Sequence, residues 1–309
     1  MKIAIFGSGG LGGYYGVRFV EAGHDVNFIA RGEHLRALQQ DGFRVYSPQG
    51  DVHLPSIKVT DDPSTLGPQD VIVVAVKTWQ LRDAALAMVP LVDGNTTVIP
   101  FLNGVEAPEI LAAVLGETAV IGGLSRIFSK IEAPGIVRHF NESAYVEFGE
   151  LDVDNQSARC QSLLQAFQQA GVDAVLSENI RLNLWRKLIL VSAWGGLGAL
   201  SQSSMGDLRK HPETRQLISA CAVESIAVAE AEGFRFPDNL LDSMWQFYDD
   251  LPEGATTSLS RDLLSSKPSE LEAWHGVIVR LAEKHGIDVP HQRFVYHALL
   301  PSERRLNAG

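Results

Sequence analysis

The sequence predicts an α/β domain built on a mostly parallel sheet, followed by an all-helical domain. In the first half of the 309-residue chain, short apolar runs rich in β-branched residues alternate with helical segments. Such alternation indicates parallel strands with helices on both faces of the sheet. After about Glu178 almost every segment has helical periodicity. We therefore expect two domains, residues 1–178 and 179–309.

The expected strands of the first domain follow one another in order, at residues 2–6 (KIAIF), 25–30, 70–76, 96–102 and 118–124. The runs 136–140 (IVRHF) and 144–150 (AYVEFGE) are expected to pair as a hairpin, followed by a helix over 158–170 and a strand over 172–177. Helices are expected over 181–200, 212–232, 239–248 and 269–285, and the last residues, 302–309, are expected to be loose.

Composition excludes several classes of function. The formal net charge of −11 disfavours nucleic acid and anionic membranes as partners, because either would need a basic surface. The two cysteines, Cys160 and Cys221, lie far apart and lack metal-site spacing, so we expect neither a metal site nor a disulfide framework. A reducing cytoplasm is the simplest location for such a chain. No apolar stretch is long enough to predict a membrane span.

A glycine-rich turn carries the first functional signal. It directly follows the first strand, opens a helix and fits G-x-G-x-x-G in the sequence Gly7-Ser8-Gly9-Gly10-Leu11-Gly12. In a Rossmann-type domain the first glycine permits the tight turn, the second admits a pyrophosphate and the third allows close packing of helix and strand. The alternative is a plain glycine-rich turn. The position between strand and helix favours dinucleotide binding.

Polar residues at three further strand ends extend this site. The second strand ends at Arg31, where NAD-binding domains place a carboxylate on the ribose 2′-hydroxyl. An arginine attracts a 2′-phosphate instead, so we expect NADP(H), although Arg31 could also be an ordinary loop residue. Lys77 and Asn103 follow the next two strands. Ligands of open α/β sheets bind outside the carboxyl ends of the strands, so both side chains can reach the cofactor.

Together these segments resemble the ketopantoate reductase (2-dehydropantoate 2-reductase) family. The resemblance lies in GSGGLGG, Ala30-Arg31, VKTWQ, FLNG, LWRKL and the segment 257–276, in order and at compatible spacings over nearly the whole chain. It implies a Rossmann domain, a helical C-terminal domain and reduction of a 2-oxo acid with NADPH. It also implies a role in pantothenate biosynthesis.

The resemblance implies roles for five residues. Lys187 matches the family's general acid and Glu270 the acidic residue beside it; Asn103 and Ser258 match substrate-contacting residues and Lys77 a cofactor-side lysine. Elementary chemistry agrees, because hydride delivery to a ketone builds negative charge on its oxygen, which an ammonium can stabilise and protonate. The alternative for Lys187 is a solvated residue whose stem lies along apolar surface.

The match departs from the family on the helix that bears Lys187. In the family, asparagines four and eight positions after the lysine bind the substrate; here these positions are Val191 and Gly195. A helix places both on the lysine's face. Either Ser192, Ser258 and Gln202 supply the missing hydrogen bonds, or the substrate is less polar than ketopantoate.

Three hypotheses follow for function. The first is NADPH-dependent reduction of ketopantoate to pantoate. The second keeps this chemistry with a more apolar ketone or 2-oxo acid. The third is a catalytically silent NADP-binding sensor, against which the presence of both Lys187 and Glu270 argues, because a sensor needs no acid. The expected partner is a small-molecule 2-oxo acid substrate; the helical half could also build a homodimer interface, although the sequence alone does not decide the oligomeric state.

Overall fold

The computed structural model describes residues 1–152 and 157–307, which form twelve β-strands and twelve α-helices with short 3-10 turns and one π-helical turn. They divide into two compact units, Met1–Leu102 with Glu106–Arg181, and Asn103–Val105 with Leu182–Gly309. The functional domain limits drawn from the sequence, 1–178 and 179–309, stay a prediction.

The first unit contains strands and helices in alternation. In chain order they are β1 (Lys2–Phe6), α1 (Gly10–Glu21), β2 (Asp25–Ile29), α2 (Gly32–Asp41), β3 (Phe43–Tyr46), β4 (Val52–Leu54), β5 (Lys58–Thr60), β6 (Val71–Val74), α3 (Leu81–Met88), β7 (Thr97–Pro100), α4 (Ala107–Leu115), β8 (Gly122–Arg126), β9 (Ser129–Ala133), β10 (Ile136–His139), β11 (Tyr145–Gly149), α5 (Ala158–Gln169) and β12 (Asp173–Leu176).

The central sheet has the order β5-β2-β1-β6-β7, and all its neighbouring strands are parallel. Successive residues of β1 point to opposite faces, so Ile3 and Ile5 pack with Tyr14 and Tyr15 of α1, whereas Phe6 belongs to the core on the other face. Burial on both faces explains why the strands are almost continuously apolar. The predicted α/β class with a parallel sheet is confirmed.

Two smaller sheets complete the unit, and they correct the predicted hairpin. β10 pairs with β9 and β3 in a sheet of order β4-β3-β10-β9, whereas β11 pairs with β8 and β12. The hairpin is instead β9–β10, whose turn contains Gly135 at a φ of +74° after Pro134. This Pro-Gly pair is the turn signal that sequence analysis did not use. The predicted strand 118–124 also begins later, at Gly122, after a 3-10 turn at Glu117–Ala119.

The second unit is helical, as predicted. Its elements are α6 (Ile180–Ser201, whose first two residues belong to the first unit), α7 (Met205–Lys210), α8 (Pro212–Ala231), α9 (Leu240–Asp250), α10 (Ser258–Leu264), a π-helical turn (Glu272–Gly276), α11 (Val277–His285) and α12 (Pro290–Asn307). The short helices α7 and α10, and α12, were not expected.

The C-terminal residues also correct an expectation. Residues 302–307, expected to be loose, continue α12, while 308 and 309 lie outside the described residues. Glu303 is buried and its carboxylate accepts hydrogen bonds from the backbone N–H and hydroxyl of Ser269, which ties this helix to the rest of the unit. Within the part of the chain that the structure describes, the helices are too short or too polar to cross a lipid bilayer.

Candidate active site

The glycine turn between β1 and α1 is held against the sheet by close backbone packing. Gly7 has a φ of +102°, and a Cβ there would lie 2.8 Å from the carbonyl carbon of Ala75. A Cβ at Gly12 would lie only 2.2 Å from the carbonyl oxygen of Gly7. Both positions therefore require glycine, the first for its backbone conformation and the second for helix–strand contact.

The outer side of the same turn is open. A Cβ at Gly9 would meet nothing nearer than Cδ1 of Ile131, at 4.0 Å. Gly9 is also the N-cap of α1 and supplies no side chain to the first backbone N–H groups of the helix. Free N–H groups, a positive helix end and close access to the backbone are what a pyrophosphate needs. The turn thus fits the phosphates of a dinucleotide.

Three of the six predicted turn residues, Ser8, Gly10 and Leu11, make contacts within the protein that hold the turn in place. The Ser8 hydroxyl donates to the carbonyl of Ile29 (3.0 Å) and is buried, so Ser8 ties the turn to β2. Leu11 is half-buried against the core of the first unit. At Gly10 a Cβ would lie 2.9 Å from the Cα atom of Lys130 in β9, so this glycine is required by the neighbouring strand.

His34 supports the turn, and sequence analysis missed it. Its Nδ1 accepts a hydrogen bond from the backbone N–H of Gly135 (3.1 Å), so its Nε2 carries the proton and donates to the Ser8 carbonyl (2.8 Å). Burial lowers the pKa of His34 below its usual range, which keeps this bridging form neutral. Its position three residues after Arg31, on the helix that follows β2, is the signal that could have found it.

The other cofactor-side candidates lie at strand ends of the first unit. Arg31 follows β2, is exposed and stands at the N-cap of α2. Lys77 follows β6 and precedes a 3-10 turn; its Nζ lies 5.7 Å from the centroid of the Trp79 ring. Both residues follow strands of the parallel sheet at their carboxyl ends, where ligands of such sheets bind.

Asn103 and Glu270 meet directly, although 167 residues separate them in the sequence. The amide Nδ2 of Asn103 donates to Oε2 of Glu270 at 2.7 Å. Gly104 makes this approach possible: its φ is +91°, and a Cβ there would lie 2.9 Å from the carbonyl oxygen of Ala273. The short segment Asn103–Val105 consequently belongs to the second unit.

A second carboxylate positions the segment that carries Glu270. Glu270 is only 7% exposed. The preceding residue, Ser269, donates its backbone N–H (3.0 Å) and hydroxyl (2.6 Å) to Glu303, and its hydroxyl oxygen accepts from the N–H of Leu271 at 3.3 Å. Ser269 thus caps the helical segment while Glu303 anchors it. Sequence analysis missed this pair because Glu303 lies in the tail expected to be loose.

The remaining catalytic and substrate candidates also lie in the second unit. Lys187 is half-buried in the long helix α6, and Ser258 is half-buried as the first residue of α10. The observed partner of the Glu270 carboxylate is Asn103; the predicted action of Glu270 on Lys187 stays a prediction. Ser192, suggested as a replacement hydrogen-bonding group, is fully buried, and Gln202 is exposed at a φ of 54° just after α6.

Trp274 packs against the helix that bears Lys187. It lies in the π-helical turn, four residues after Glu270, and its indole is 2% exposed. A Cβ at Gly195 would lie 2.8 Å from its Cζ3 atom. A π-helical turn inserts an extra residue into a helix and is frequent at functional sites.

Comparisons with known proteins agree over both halves of the chain. Residues 3–153 match the family model described as ketopantoate reductase PanE/ApbA, and residues 179–303 match the model of the C-terminal part of the same family. A 2-dehydropantoate 2-reductase of a Nostoc species is 30% identical, over 100% of this chain and 97% of that protein.

Solved structures share the fold. The crystal structure of 2-dehydropantoate 2-reductase from Geobacter metallireducens is 30% identical, with a TM-score of 0.90 over 98% of this chain and 100% of that one. A D-mandelate dehydrogenase solved with NADH and anilino(oxo)acetate has a TM-score of 0.90 at 23% identity, over 99% of this chain and 100% of that one. The latter likeness concerns the fold alone.

Proposed function

Because this chain belongs to the ketopantoate reductase family of oxidoreductases, we propose that it reduces the carbonyl group of a small 2-oxo acid with NADPH. The observation that carries the proposal is the meeting of Asn103 and Glu270 at 2.7 Å, in the unit that also holds Lys187 and Ser258. This contact brings together two residues to which the sequence assigned neighbouring roles in the site, although 167 positions separate them.

NADP(H) is the cofactor consistent with this family, and the first unit has a turn that fits its phosphates. The backbone N–H groups after Gly9 would hold the pyrophosphate, and the exposed Arg31 would attract the 2′-phosphate. Lys77 would lie on the cofactor side of the site, as the sequence predicts. When bound, NADPH supplies the hydride that the carbonyl carbon receives.

The chain's own residues would stabilise the charge that develops on the carbonyl oxygen and would donate the proton to it. In the proposal, the Lys187 ammonium stabilises the negative charge that grows on the carbonyl oxygen and then donates its proton to it, which gives a 2-hydroxy acid. Asn103 and Ser258 would orient the substrate by hydrogen bonds. Glu270 would favour the protonated form of Lys187, since a nearby carboxylate stabilises an ammonium.

Cysteine chemistry is a poor alternative. Burial raises the pKa of Cys221 to about 12 and also raises the pKa of Cys160, so both thiols stay protonated at neutral pH. Both are free and buried, which suits the proposed cytoplasmic location. The homodimer expected from the sequence stays a prediction.

Two substrate classes compete within this proposal. Ketopantoate is the substrate that the names of the relatives indicate. A more apolar 2-oxo acid is favoured by the residues after Lys187 on its helix face, Val191 and Gly195, neither of which offers a polar side chain.

The test of the proposed acid is Lys187→Ala. Removing the ammonium should lower kcat by a factor on the order of 10² to 10⁴, the range typical for a general acid. NADPH affinity, measured by fluorescence titration, should change by less than about twofold. Arg186→Ala is the matched control, since Arg186 is exposed and its guanidinium donates to Asn183 at 3.1 Å. Turnover by Lys187→Ala at the parental rate would show that another group is the acid.

A further inference from the structure

The backbone polar groups of Ser8 and Gly9 are engaged within the protein, with one exception. The Ser8 N–H donates to the carbonyl of Ile29 at 3.2 Å, and the Ser8 carbonyl accepts from Nε2 of His34 at 2.8 Å. The Gly9 carbonyl accepts from the N–H of Gly13 in α1, at 2.7 Å. Within the described part of the chain, the N–H of Gly9 makes no hydrogen bond. This donor is therefore available to a ligand.

His34 sets the direction in which that N–H points. The carbonyl of Ser8 and the N–H of Gly9 belong to one peptide unit, which is planar and trans. The two groups point in opposite directions, so a carbonyl held toward His34 directs the N–H away from it. If the unit rotated, the negative end of its dipole would face an approaching anion in place of the N–H.

Contacts with two other elements hold the His34 ring, which itself belongs to α2. Its Nδ1 accepts from the N–H of Gly135, in the turn between β9 and β10, at 3.1 Å. Its ring meets the ring of Phe43 in β3 edge-on, with 5.7 Å between the centroids and an interplanar angle of 80°. The ring is thus fixed from two sides, and its Nε2 is directed at the Ser8 carbonyl.

We propose that His34 is a positioning residue for the diphosphate of the cofactor and acts through the Ser8–Gly9 peptide unit. It holds the carbonyl of this unit away from the anion and presents the Gly9 N–H, at the residue where a Cβ would meet nothing nearer than 4.0 Å. A donor oriented in advance costs nothing to order when the ligand arrives. This role rests on the proposed function and adds a residue outside the glycine motif to the cofactor site.

His34→Leu and His34→Gln separate the hydrogen bond from the volume of the side chain. Both keep a side chain of intermediate size beside Phe43, but only glutamine offers an N–H to the Ser8 carbonyl. The Kd for NADPH, from fluorescence titration, should rise about tenfold in His34→Leu, which is the equivalent of about one net hydrogen bond. His34→Gln should recover most of that affinity.

Fragments of the cofactor locate the loss at the diphosphate. Adenosine 2′-monophosphate carries the adenine and the 2′-phosphate, and 2′-phospho-ADP-ribose carries the diphosphate as well. Competition with NADPH gives the affinity of each. His34→Leu should weaken the second fragment about tenfold and the first by less than about twofold. A substitution that only loosened the fold would weaken both fragments alike.

His53→Leu is the matched control. His53 lies on β4, and its Nε2 likewise donates to a backbone carbonyl, that of Asp41, at 3.3 Å. The same substitution there removes an imidazole and a hydrogen bond of the same kind without touching the glycine turn. The affinities of this variant for NADPH and for both fragments should equal those of the parent.

The outcomes separate the positioning role from the proposed function. Parental NADPH affinity in His34→Leu, equal losses for the two fragments, or an equal loss in His53→Leu would overturn the positioning role and leave the cofactor assignment intact. A His34→Gln protein that binds no better than His34→Leu would also overturn it, because ring volume would then explain the loss. If the parent bound neither NADPH nor 2′-phospho-ADP-ribose, the proposed function would be overturned together with this role.

Discussion

At the scale of single residues, the candidate site depends on how one carboxylate is held. Glu270 lies between a cap on its N-terminal side, built by Ser269 and Glu303, and the amide of Asn103. These contacts leave Glu270 little freedom, which is what a group acting on a neighbouring acid requires. Glu303 therefore holds the segment that carries the Glu270 carboxylate.

Glu270→Gln should reveal whether this carboxylate acts on Lys187. The substitution keeps an oxygen for the Asn103 amide but removes the negative charge that favours a protonated neighbour. We expect the alkaline limb of the kcat/KM profile to move to lower pH, and kcat near neutrality to fall by roughly tenfold. Steady-state rates between pH 6 and 10 measure both.

Glu272→Gln is the control for that experiment. Glu272 lies two residues away, ion-paired with Arg280 and accepting from the hydroxyl of Tyr296 at 2.6 Å. The kcat/KM profile of Glu272→Gln against pH should match that of the parent protein. An unchanged profile for Glu270→Gln would limit Glu270 to a structural role.

At the scale of elements, the turn before α1 divides its glycines between folding and binding. Gly7 and Gly12 are required by the backbone contacts around them, whereas the outer side of Gly9 is open. The same motif thus contains positions whose substitution harms the fold and one whose substitution should harm only ligand binding.

Two alanine substitutions should separate these roles. Gly12→Ala places a Cβ 2.2 Å from the Gly7 carbonyl oxygen and should lower the free energy of unfolding by about 1–3 kcal/mol. Gly9→Ala meets no atom nearer than 4.0 Å, so its thermal midpoint should stay near that of the parent. Its Kd for NADPH should rise by at least about tenfold, because the methyl group stands where the pyrophosphate approaches. Differential scanning calorimetry and fluorescence titration distinguish the two; tight NADPH binding by Gly9→Ala would place the phosphates elsewhere.

At the scale of the whole molecule, buried histidines should make stability depend on pH. His275 is fully buried and donates from Nδ1 to Oε1 of Gln292 at 2.6 Å, since the Gln292 amide nitrogen donates to Ser225. Its Nε2 makes no hydrogen bond with the described residues. Burial lowers the pKa of His275 to about 4.

The sign of the effect follows from that shift. An unfolded histidine, with a pKa near 6.5, becomes protonated as the pH falls below that value, whereas folded His275 stays neutral until about pH 4. Its contribution is therefore complete above pH 6.5 and decreases as the pH falls, by roughly 3 kcal/mol at pH 4. Burial also lowers the pKa values of His24, His34 and His139, which act in the same direction.

Urea unfolding at several pH values between 7.5 and 5 measures this dependence. The parent should lose stability steadily below pH 6.5. His275→Gln retains a donor toward Gln292 but cannot titrate. Its unfolding free energy should therefore fall less steeply over the same range, by a slope equivalent to about one proton fewer taken up on unfolding. Parallel curves for the two proteins would show that His275 does not contribute.

Much of the architecture could be predicted from local patterns. Apolar runs of strand length, the glycine turn and the later helical periodicity are local features, and they determine the α/β class and the helical half. The misassigned hairpin shows where such patterns fail: residues 136–140 and 144–150 both have strand character, but the first run pairs with β9 and β3 and the second with β8 and β12. Strand pairing depends on packing that a single segment does not contain.

The sequence by itself determined which residue types are available to the proposed site: a glycine turn after a strand, an arginine in place of a carboxylate, and a lysine opening an apolar helix. Only the tertiary structure decided which of these groups meet and what surrounds them. The contact of Asn103 with Glu270 spans 167 residues, and the packing of the Trp274 ring against Gly195 spans 79 positions of the printed sequence. Such contacts are set by close packing between elements, where a single Cβ is excluded by a neighbouring ring, and no local propensity encodes that exclusion.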